Sequence, residues 1–231
     1  MATYFCSDIH GEYDLFCRLL DLIRFSGGDT IFVLGDFLDK GAASVKLANL
    51  LMKTEGVRAI LGNHEHYFLR YYSCCAEECG ENSDEFKRRI KEYFPYDREV
   101  ASPETAKFVR GLPYYIEEKD FICVHAGVQM NEIGVVKPMA EQRENVMIFD
   151  RDFKEHTKIP RLSKTVLFGH TPCSYENGTG EFIKTPRSSV MPAVSLSDFV
   201  KIRLDTGVSL TGMLGCLRKE DMKEFYVKKR I

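Results

Sequence analysis

The stretch Thr30-Ile31-Phe32-Val33-Leu34-Gly35-Asp36-Phe37-Leu38-Asp39-Lys40 decides the fold, because it predicts a buried strand that ends in two acids. Residues 31–34 form a continuous apolar run of branched and aromatic side chains, as expected of a strand covered on both faces. Gly35 permits a sharp exit from this strand. Asp36 then stands at the carboxyl end of the strand, where open α/β sheets place their ligands. A plain turn would explain Asp36 equally well, so the interpretation depends on how the other strands end.

Length and composition predict a single globular domain. The chain has 231 residues, of which 44% are hydrophobic, enough for a full core. Its 32 Lys and Arg residues against 34 Asp and Glu residues give a formal net charge of −2, which disfavours nucleic acid as a partner. No apolar run approaches membrane-spanning length, and residues 1–8 lack the features of a signal peptide. We therefore expect a cytoplasmic protein with no membrane partner.

The chain contains eight cysteines. Cys74, Cys75 and Cys79 form a cluster that suggests structural zinc, but a fourth ligand nearby and a paired C-x-x-C motif are missing from the sequence. Free thiols in a reducing compartment are the simpler interpretation. The role of the cluster is left open.

The first third of the chain predicts alternating strands and helices. Residues 3–7, 30–34 and 57–61 are predicted strands, and residues 14–24 and 42–54 are predicted helices. Such a repeat implies parallel strands with right-handed crossovers, so that the strand ends converge on one edge. Polar residues follow each of these strands.

The rest of the chain predicts a helical insertion and a second set of strands. Residues 66–112 are charged, aromatic and helical, and we expect a cap whose aromatic residues form a small core, with a substrate wall as the alternative. Residues 113–124 predict a hairpin, residues 163–168 a strand, and the stretch up to Asp150 a loose connection. Residues 173–199 are rich in Ser, Gly and Pro and predict a long loop with a short hairpin, before the closing strands.

Residues of the metal-ligand type follow five of these strands. They are Asp8 with His10, Asp36, Asn63 with His64, His125, and His170. Four of the six histidines in the chain belong to this set, and a core histidine or a turn aspartate explains five such exits together poorly. Imidazole combined with carboxylate and amide oxygen suits Mn, Fe or Zn, whereas oxygen alone would suit Mg or Ca. The sequence therefore predicts a metal site at one edge of the sheet.

These exits also carry a family resemblance. The motifs are Asp8-Ile9-His10-Gly11, Gly35-Asp36-Phe37-Leu38-Asp39-Lys40-Gly41, Gly62-Asn63-His64-Glu65, Val124-His125-Ala126-Gly127 and Gly169-His170-Thr171. The set resembles the calcineurin-like metallophosphoesterases, and more narrowly the compact bacterial and phage members of their phosphoprotein-phosphatase branch. It covers residues 3 to 227 or so, in the family's order. The resemblance implies an α/β fold, a four-layer α-β-β-α sandwich of two mixed sheets, with metals at the carboxyl ends of the strands.

The resemblance further implies two divalent metal ions, Mn in the first place, with Fe or Zn as alternatives. Asp8 and His10 would hold the first ion, Asp36 would bridge both, and Asn63, His125 and His170 would hold the second. Two such ions about 3.5–4 Å apart bind phosphate oxygens and share a hydroxide that attacks phosphorus.

The resemblance implies that His64 is the general acid for the leaving oxygen. Asp39 would hold its imidazole in place and favour the protonated form. The alternative is that Asp39 caps a helix.

Three residues are implied to bind the substrate phosphate: Lys40, Arg151 and Asn63. The family usually has arginine at the position of Lys40 and often at that of Leu61, and lysine offers a point charge without a bidentate fork. These departures weaken the case for tight phosphoprotein recognition. For Arg151, a surface salt bridge is the alternative.

The first functional hypothesis is a metal-dependent phosphatase acting on phosphorylated protein or on a small phosphate ester. A hydrolase of dinucleoside polyphosphates such as diadenosine tetraphosphate is the second. A third is an inactive scaffold with the phosphatase fold, which predicts missing ligands, and none is missing from the motifs. The charge balance disfavours a nuclease.

Overall fold

The computed structural model describes residues 1–81 and 83–230. These form two five-stranded sheets. The first contains β1 (Thr3–Cys6), β2 (Thr30–Val33), β3 (Val57–Ala59), β9 (Met213–Arg218) and β10 (Glu224–Lys228), in the order β10-β9-β1-β2-β3. Strands β1, β2 and β3 are parallel, and β9 pairs antiparallel with both β1 and β10.

The second sheet has the same mixed character. It contains β4 (Tyr115–Glu117), β5 (Phe121–Val124), β6 (Thr165–Phe168), β7 (Ile183–Pro186) and β8 (Phe199–Arg203), in the order β4-β5-β6-β8-β7. Strands β5, β6 and β8 are parallel, and the edge strands β4 and β7 are antiparallel to their neighbours. The polar residues that follow the strands therefore lie at the carboxyl ends of three parallel strands in each sheet.

Helices α1 (Tyr13–Ile23), α2 (Ser44–Lys53), α3 (Asn63–Cys79), α4 (Asp84–Tyr93) and α5 (Pro103–Arg110) pack on the outer face of the first sheet, and α6 (Glu144–Phe149) packs on that of the second. The chain also forms the short helices α7 (Ser174–Asn177) and α8 (Val208–Thr211), with short 3-10 turns at Met139–Glu141 and Leu196–Asp198. Among the described helices, none is both long and apolar enough to cross a membrane.

Alternating side chains of the strands divide the core into three layers. Phe5 and Phe32 point between the sheets, where their ring centroids lie 4.9 Å and 5.2 Å from that of Phe121. Tyr4, on the other face of β1, packs in the layer beneath α1 to α5. Ile122 of the second sheet packs with residues of α6. This arrangement is the predicted four-layer sandwich of two mixed sheets.

Two segments differ from the sequence-based expectation. The stretch before Asp150, expected to be loose, contains a 3-10 turn and α6. Helix α6 has only six residues, too few to show helical periodicity, and the burial of Met147 and Ile148 against the second sheet holds it. Helix α3 begins at Asn63, three residues before the expected start of the cap, so the motif forms its first turn. The loop 173–199 carries α7 and β7.

Candidate active site

The strand exits are strained. Asp8, His10, Asp36 and His170 have left-handed backbone conformations, with φ values of 52°, 48°, 53° and 66°. Each such residue costs about 1–3 kcal/mol, and the strain persists only where the surrounding structure fixes it. Left-handed residues other than glycine concentrate at functional sites, so the backbone itself marks this edge of the two sheets.

Gly35 allows the exits of the two sheets to meet. Its φ is 81°, and a Cβ at this position would lie 2.7 Å from Gly62 Cα and 2.9 Å from His125 Nδ1. Any larger residue would therefore push β2 away from the exits of β3 and β5. This is the close backbone approach that the sequence predicted for Gly35.

Asp36 lies at the centre of the site. Its Oδ1 is 3.4 Å from His125 Nε2, while its Oδ2 is 3.9 Å from His10 Nε2 and 3.8 Å from His64 Nε2. Burial raises the pKa of Asp36, but the surrounding imidazoles outweigh it and hold the pKa well below the usual range. Asp36 thus remains a carboxylate, and it is shared by two clusters able to hold a metal ion, one with His10 and His64 and one with His125 and His170.

The second cluster has the chemistry of a cation site. His125 Nδ1 lies 2.8 Å from the carbonyl of Leu34 and donates its hydrogen there, so Nε2 points into the site. This Nε2 faces Asn63 Oδ1 at 3.0 Å as well as the Asp36 carboxylate. Asn63 Oδ1 is also 2.9 Å from His170 Nδ1. Several acceptors therefore converge, which a bound cation would satisfy.

The protonation states of these imidazoles support the same interpretation. Burial disfavours the charged form of His125, yet the Asp36 carboxylate raises its pKa to about 10, which shows that positive charge is favoured at this point. Burial, followed by the charge of His125, lowers the pKa of His170 to about 3. His170 Nε2 is buried without a hydrogen-bond partner among the described residues. A neutral, unpartnered imidazole is the form that binds metal.

The first cluster is less complete. Burial lowers the pKa of His10 to about 4, so it is neutral, and its Nε2 faces both Asp36 and Lys40 Nζ, the latter at 2.9 Å. The Asp8 carboxylate accepts hydrogen bonds from the His170 backbone N–H at 3.1 Å and 3.2 Å and from the Ser7 hydroxyl. Asp8 lies outside both clusters formed by the described residues. Its role as a ligand stays a prediction.

His64 and Asp39 form a hydrogen-bonded pair. His64 Nδ1 lies 2.8 Å from Asp39 Oδ2. Burial opposes the charge on His64, but the bond to Asp39 outweighs it and raises the pKa of the imidazole. Helix α2 begins after Ala43, and no side chain caps it, so Asp39 does not serve as the helix cap considered above. Asp39 therefore favours the protonated form of the ring, whose Nε2 lies 3.8 Å from Asp36 Oδ2.

Lys40 and Arg151 lie at the mouth of the site. Both line a cavity of about 260 Å³ together with His10 and His170. Within residues 1–81 and 83–230, Arg151 forms no ion pair with an acid, which disfavours the surface salt bridge as its role. Both side chains are exposed, and both can approach a bound phosphate.

Sequence reasoning assigned no role to Glu65, which the structure places beneath the site. Its side chain is fully buried and accepts hydrogen bonds from the backbone N–H groups of Asp36 at 2.7 Å, Leu38 at 2.9 Å and Gly62 at 2.9 Å. Burial, followed by the charge of Asp36, raises the pKa of Glu65 to about 7. Glu65 ties the exit of β2 to the start of α3. The spacing Gly62-x-x-Glu65, typical of a capping box, was the available signal.

Asp205 was also missed as a site residue. The sequence indicated only a turn, but Asp205 follows β8 as the other exits follow their strands. It is 3% exposed, accepts a hydrogen bond from Gly207 N at 2.8 Å and lines the same cavity as Lys40 and Arg151. Burial, followed by the charge of Asp8, raises its pKa well above the usual range.

Lys201 is a buried cation behind the site. It is 2% exposed, and its Nζ donates to the carbonyls of Phe153 at 2.6 Å, Glu155 at 2.7 Å and Lys158 at 2.8 Å. These bonds hold the loop that follows Arg151 against the second sheet. No sequence signal distinguishes Lys201 from a lysine at the surface.

The eight cysteines are free thiols in the structure. In the expected cluster, Cys74 is exposed, Cys75 is buried, and Cys79 donates to the carbonyl of Cys75 at 2.8 Å. The candidate metal clusters of the described residues do not include them. This agrees with the simpler interpretation of free thiols.

Two relatives found by comparison with known sequences carry the same name. The symmetrical bis(5'-nucleosyl)-tetraphosphatase of Aggregatibacter actinomycetemcomitans is 29% identical over 152 residues, which are 64% of this chain and 52% of that protein. The protein of the same name from Neisseria gonorrhoeae is 26% identical over 181 residues, which are 77% of this chain and 59% of that one. The chain therefore spans about half the length of the curated relatives it matches.

Solved structures show the same fold. One, provisionally described as a diadenosine tetraphosphatase, has a TM-score of 0.70 at 18% identity and covers 99% of this chain and 94% of its own. A serine/threonine protein phosphatase from Saccharomyces cerevisiae has a TM-score of 0.54 at 13% identity and covers 100% of this chain and 80% of its own. At these identities the likeness shows the fold alone.

The family assignment depends on a match that includes all the predicted ligands at the strand ends. The model of the calcineurin-like phosphoesterase family matches residues 1–202, which include every predicted ligand and both members of the His64–Asp39 pair. The resemblance inferred from the motifs is thereby confirmed. The chain belongs to the calcineurin-like phosphoesterase family, whose members are phosphoester hydrolases.

Proposed function

We propose that this protein hydrolyses phosphate esters with the help of two divalent metal ions. One observation carries the proposal: the two oxygens of a single buried carboxylate, Asp36, face imidazoles that come from different strand exits. Asp36 would hold both ions, with Asp8 and His10 on one side and Asn63, His125 and His170 on the other. When bound, such ions polarise phosphoryl oxygens and lower the pKa of water toward neutrality.

The nature of the donors favours Mn, with Fe or Zn as alternatives. The set mixes imidazole nitrogen, carboxylate oxygen and the amide oxygen of Asn63, and it includes no thiolate. The unpartnered Nε2 of His170 and the acceptors that converge on Asn63 Oδ1 both fit a cation. Metal identity is tested directly by measuring which ion restores activity to stripped protein.

His64 would donate a proton to the leaving oxygen. The Asp39 carboxylate accepts the hydrogen bond of Nδ1–H at 2.8 Å and favours the imidazolium form, in which Nε2 would carry the second proton on the side of the metal clusters. Lys40 and Arg151 would bind the phosphoryl oxygens from the mouth of the cavity, and Asn63 would do so from its place beside His125 and His170. The residue that would protonate the leaving oxygen is thus different from the residues that would bind the phosphoryl oxygens.

The finer proposal is a phosphomonoesterase, either a protein serine/threonine phosphatase or an enzyme for small phosphate esters. A serine or threonine alkoxide is a poor leaving group, and a general acid accelerates its departure by about 10²–10⁴-fold. The hydrogen bond from His64 to Asp39, which orients the ring and raises its pKa, is the observation that favours this class.

A symmetrical dinucleoside tetraphosphatase is the second candidate, favoured by the relatives with 26–29% identity. A phosphate leaving group with a second pKa of about 6 is a weak base. Its bond to phosphorus therefore breaks without much help from an acid. Loss of His64 would therefore matter less for this substrate than for an alkyl ester.

The test is hydrolysis of p-nitrophenyl phosphate by metal-stripped protein to which Mn²⁺ is returned, followed by phosphoserine peptide and diadenosine tetraphosphate. Activity that rises with Mn²⁺ supports the proposal. A phosphoserine rate that collapses in His64→Ala, with slow cleavage of the dinucleotide, supports the first candidate. Fast release of two ADP molecules that survives His64→Ala supports the second. Bound metal without hydrolysis of any substrate would contradict both.

We also propose that the chain acts as one domain in the cytoplasm, with residues 66–112 as a helical cap and residues 173–199 as a long loop beside the site. Helices α3, α4 and α5 pack with the first sheet in one continuous apolar layer, which supports a single folding unit. Limited proteolysis that yields a stable fragment lacking the cap would contradict it.

A further inference from the structure

The aromatic residues of the helical segment fall into two groups. Phe68, Tyr72 and Phe94 are buried and form the cap core that the sequence favoured. Tyr67, Tyr93 and Tyr96 are different, because 44%, 37% and 68% of their surfaces are exposed. The alternative of a substrate wall therefore survives for the second group alone.

Tyr67 belongs to a wall of rings beside the metal clusters. Its ring centroid lies 5.5 Å from that of Phe149, at the end of α6, and 6.2 Å from that of His66. The rings of His66 and Phe149 are 5.7 Å apart, so the three contact one another. Phe149 is only partly buried. We call Tyr67, Phe149 and His66 the aromatic wall.

The aromatic wall adjoins the general acid. His64 and Tyr67 are three residues apart on α3, so they lie on the same face of the helix. Their ring centroids are 6.5 Å apart with an interplanar angle of 87°, so the edge of one ring meets the face of the other. The leaving oxygen must approach His64 Nε2 within about 3 Å to receive the proton. Whatever is attached to that oxygen then lies next to Tyr67.

The cavity beside His10 and His170 is built for charge. Lys40 and Arg151 line the cavity beside His10 and His170, and they suit the phosphoryl oxygens. The substrate is thereby oriented, with its phosphate toward the cations and its leaving group toward the rings.

We propose that the aromatic wall binds a flat ring in the leaving group, so that the preferred substrates are phosphate esters of aryl alcohols or of nucleosides. The proposal rests on the proposed hydrolase function and narrows its substrate class. A ring that stacks on Tyr67 would place the leaving oxygen against His64. Esters without a ring would bind through the phosphate alone.

The experiment compares matched substrates in variants of Tyr67. O-phosphotyrosine and O-phosphoserine differ in the ring, and adenosine 5'-monophosphate presents a ring through a ribose. Tyr67→Leu removes the ring, and Tyr67→Phe keeps it. Tyr96→Leu, which removes a tyrosine that is 68% exposed and outside the wall, is the control.

For Tyr67→Leu we expect the ratio of kcat/KM for phosphotyrosine to that for phosphoserine to fall about tenfold, mainly through KM, as loss of an aromatic contact predicts. Tyr67→Phe and the control should keep the ratio. A fall with adenosine 5'-monophosphate alone would assign the wall to nucleosides, and a fall with phosphotyrosine alone would assign it to aryl esters.

An equal loss for phosphoserine, phosphotyrosine and adenosine 5'-monophosphate would overturn the proposal, since Tyr67 would then act only by supporting His64. Unchanged ratios of both ring-bearing substrates to phosphoserine would overturn it as well, while hydrolysis of all three substrates would leave the proposed function standing. If Mn²⁺-loaded wild-type protein hydrolyses none of them and no p-nitrophenyl phosphate, both proposals fall.

Discussion

Two regions of the site differ in how completely the fold fixes them. The strand-exit cluster consists of Asp8, His10, Asp36, Asn63, His125 and His170, and none of these residues is more than 7% exposed. The rim consists of Lys40, Arg151 and Tyr67, all of which are exposed. Residues of the cluster are held by backbone carbonyls, backbone N–H groups and one another, whereas rim residues have few partners. The comparison teaches that the chemistry is built into the core, while the choice of substrate is left to the surface.

The largest effect is expected from the centre of the cluster. Asp36→Asn keeps the size of the side chain but removes the charge that both metal clusters share. We expect loss of both ions and a fall in kcat of about a thousandfold, since removal of a single electrostatic stabiliser costs about 10²–10³ in rate. Metal content by mass spectrometry and p-nitrophenyl phosphate hydrolysis measure this. Lys40→Met, on the rim, should keep both ions, and full occupancy in Asp36→Asn would refute the bridging role.

His64→Ala tests the boundary between cluster and rim, because His64 is near Asp36 but bonds to Asp39. We expect turnover of alkyl phosphates to fall about 10²–10⁴-fold, as loss of a general acid predicts. Metal content should stay at the wild-type level, and esters with good leaving groups should lose less. Loss of an ion instead would make His64 a ligand, as its place in one of the metal clusters allows.

Most of the cluster could be predicted from sequence because it depends on local order. The pattern that reveals a ligand spans only a few residues: a strand is followed by a glycine or a tight turn and then by the ligand. The topology of parallel strands then brings these strand ends together. Asp36, His125 and His170 were found in this way, and the structure brings their ligand atoms together. The family match confirms the fold that the motifs implied.

The remaining features depend on contacts between distant segments, which a single sequence does not encode locally. Lys201 is buried because residues 153–158 fold over it, nearly 50 positions away at the farthest. Glu65 contacts N–H groups 27 to 29 positions earlier in the chain. Helix α6 is too short for periodicity and exists because the second sheet offers an apolar face. The exposed half of the aromatic segment could not be separated from its buried half, since both contain the same residue types.

Glu65→Gln asks whether the cluster depends on the support beneath it. The glutamine carbonyl can accept hydrogen bonds, but its NH₂ group would face a backbone N–H, so at least one buried donor loses its partner. We expect unfolding free energy to fall by about 1–3 kcal/mol for such an unsatisfied group. Urea denaturation measures this. Glu77→Gln, an exposed change on the same helix, is the matched control, and equal stability of the two variants would refute the role.

Lys201→Met should have the smallest effect, because Lys201 reaches the rim only through the loop after Arg151. Burial lowers the pKa of Lys201 to about 8, against about 10.4 for an unfolded chain. Between these values the unfolded protein holds a proton that the folded protein has released. Stability from this residue therefore rises as pH increases from 8 toward 10.4, and it falls again as pH drops through the folded pKa.

The melting temperatures of wild type and Lys201→Met at pH 7.5 and pH 9.5 measure the difference. We expect the melting temperature of the wild type, relative to that of the variant, to be higher at pH 9.5 than at pH 7.5. We also expect KM for phosphate esters to rise about twofold in the variant, because the loop beside Arg151 loosens. If the melting temperatures of wild type and variant change equally with pH, Lys201 stays protonated at both pH values. The three carbonyls, which favour the charged ammonium, would then outweigh the effect of burial on its pKa. In that case the rim is anchored by a permanent charge, and its loop is as firmly fixed as the cluster itself.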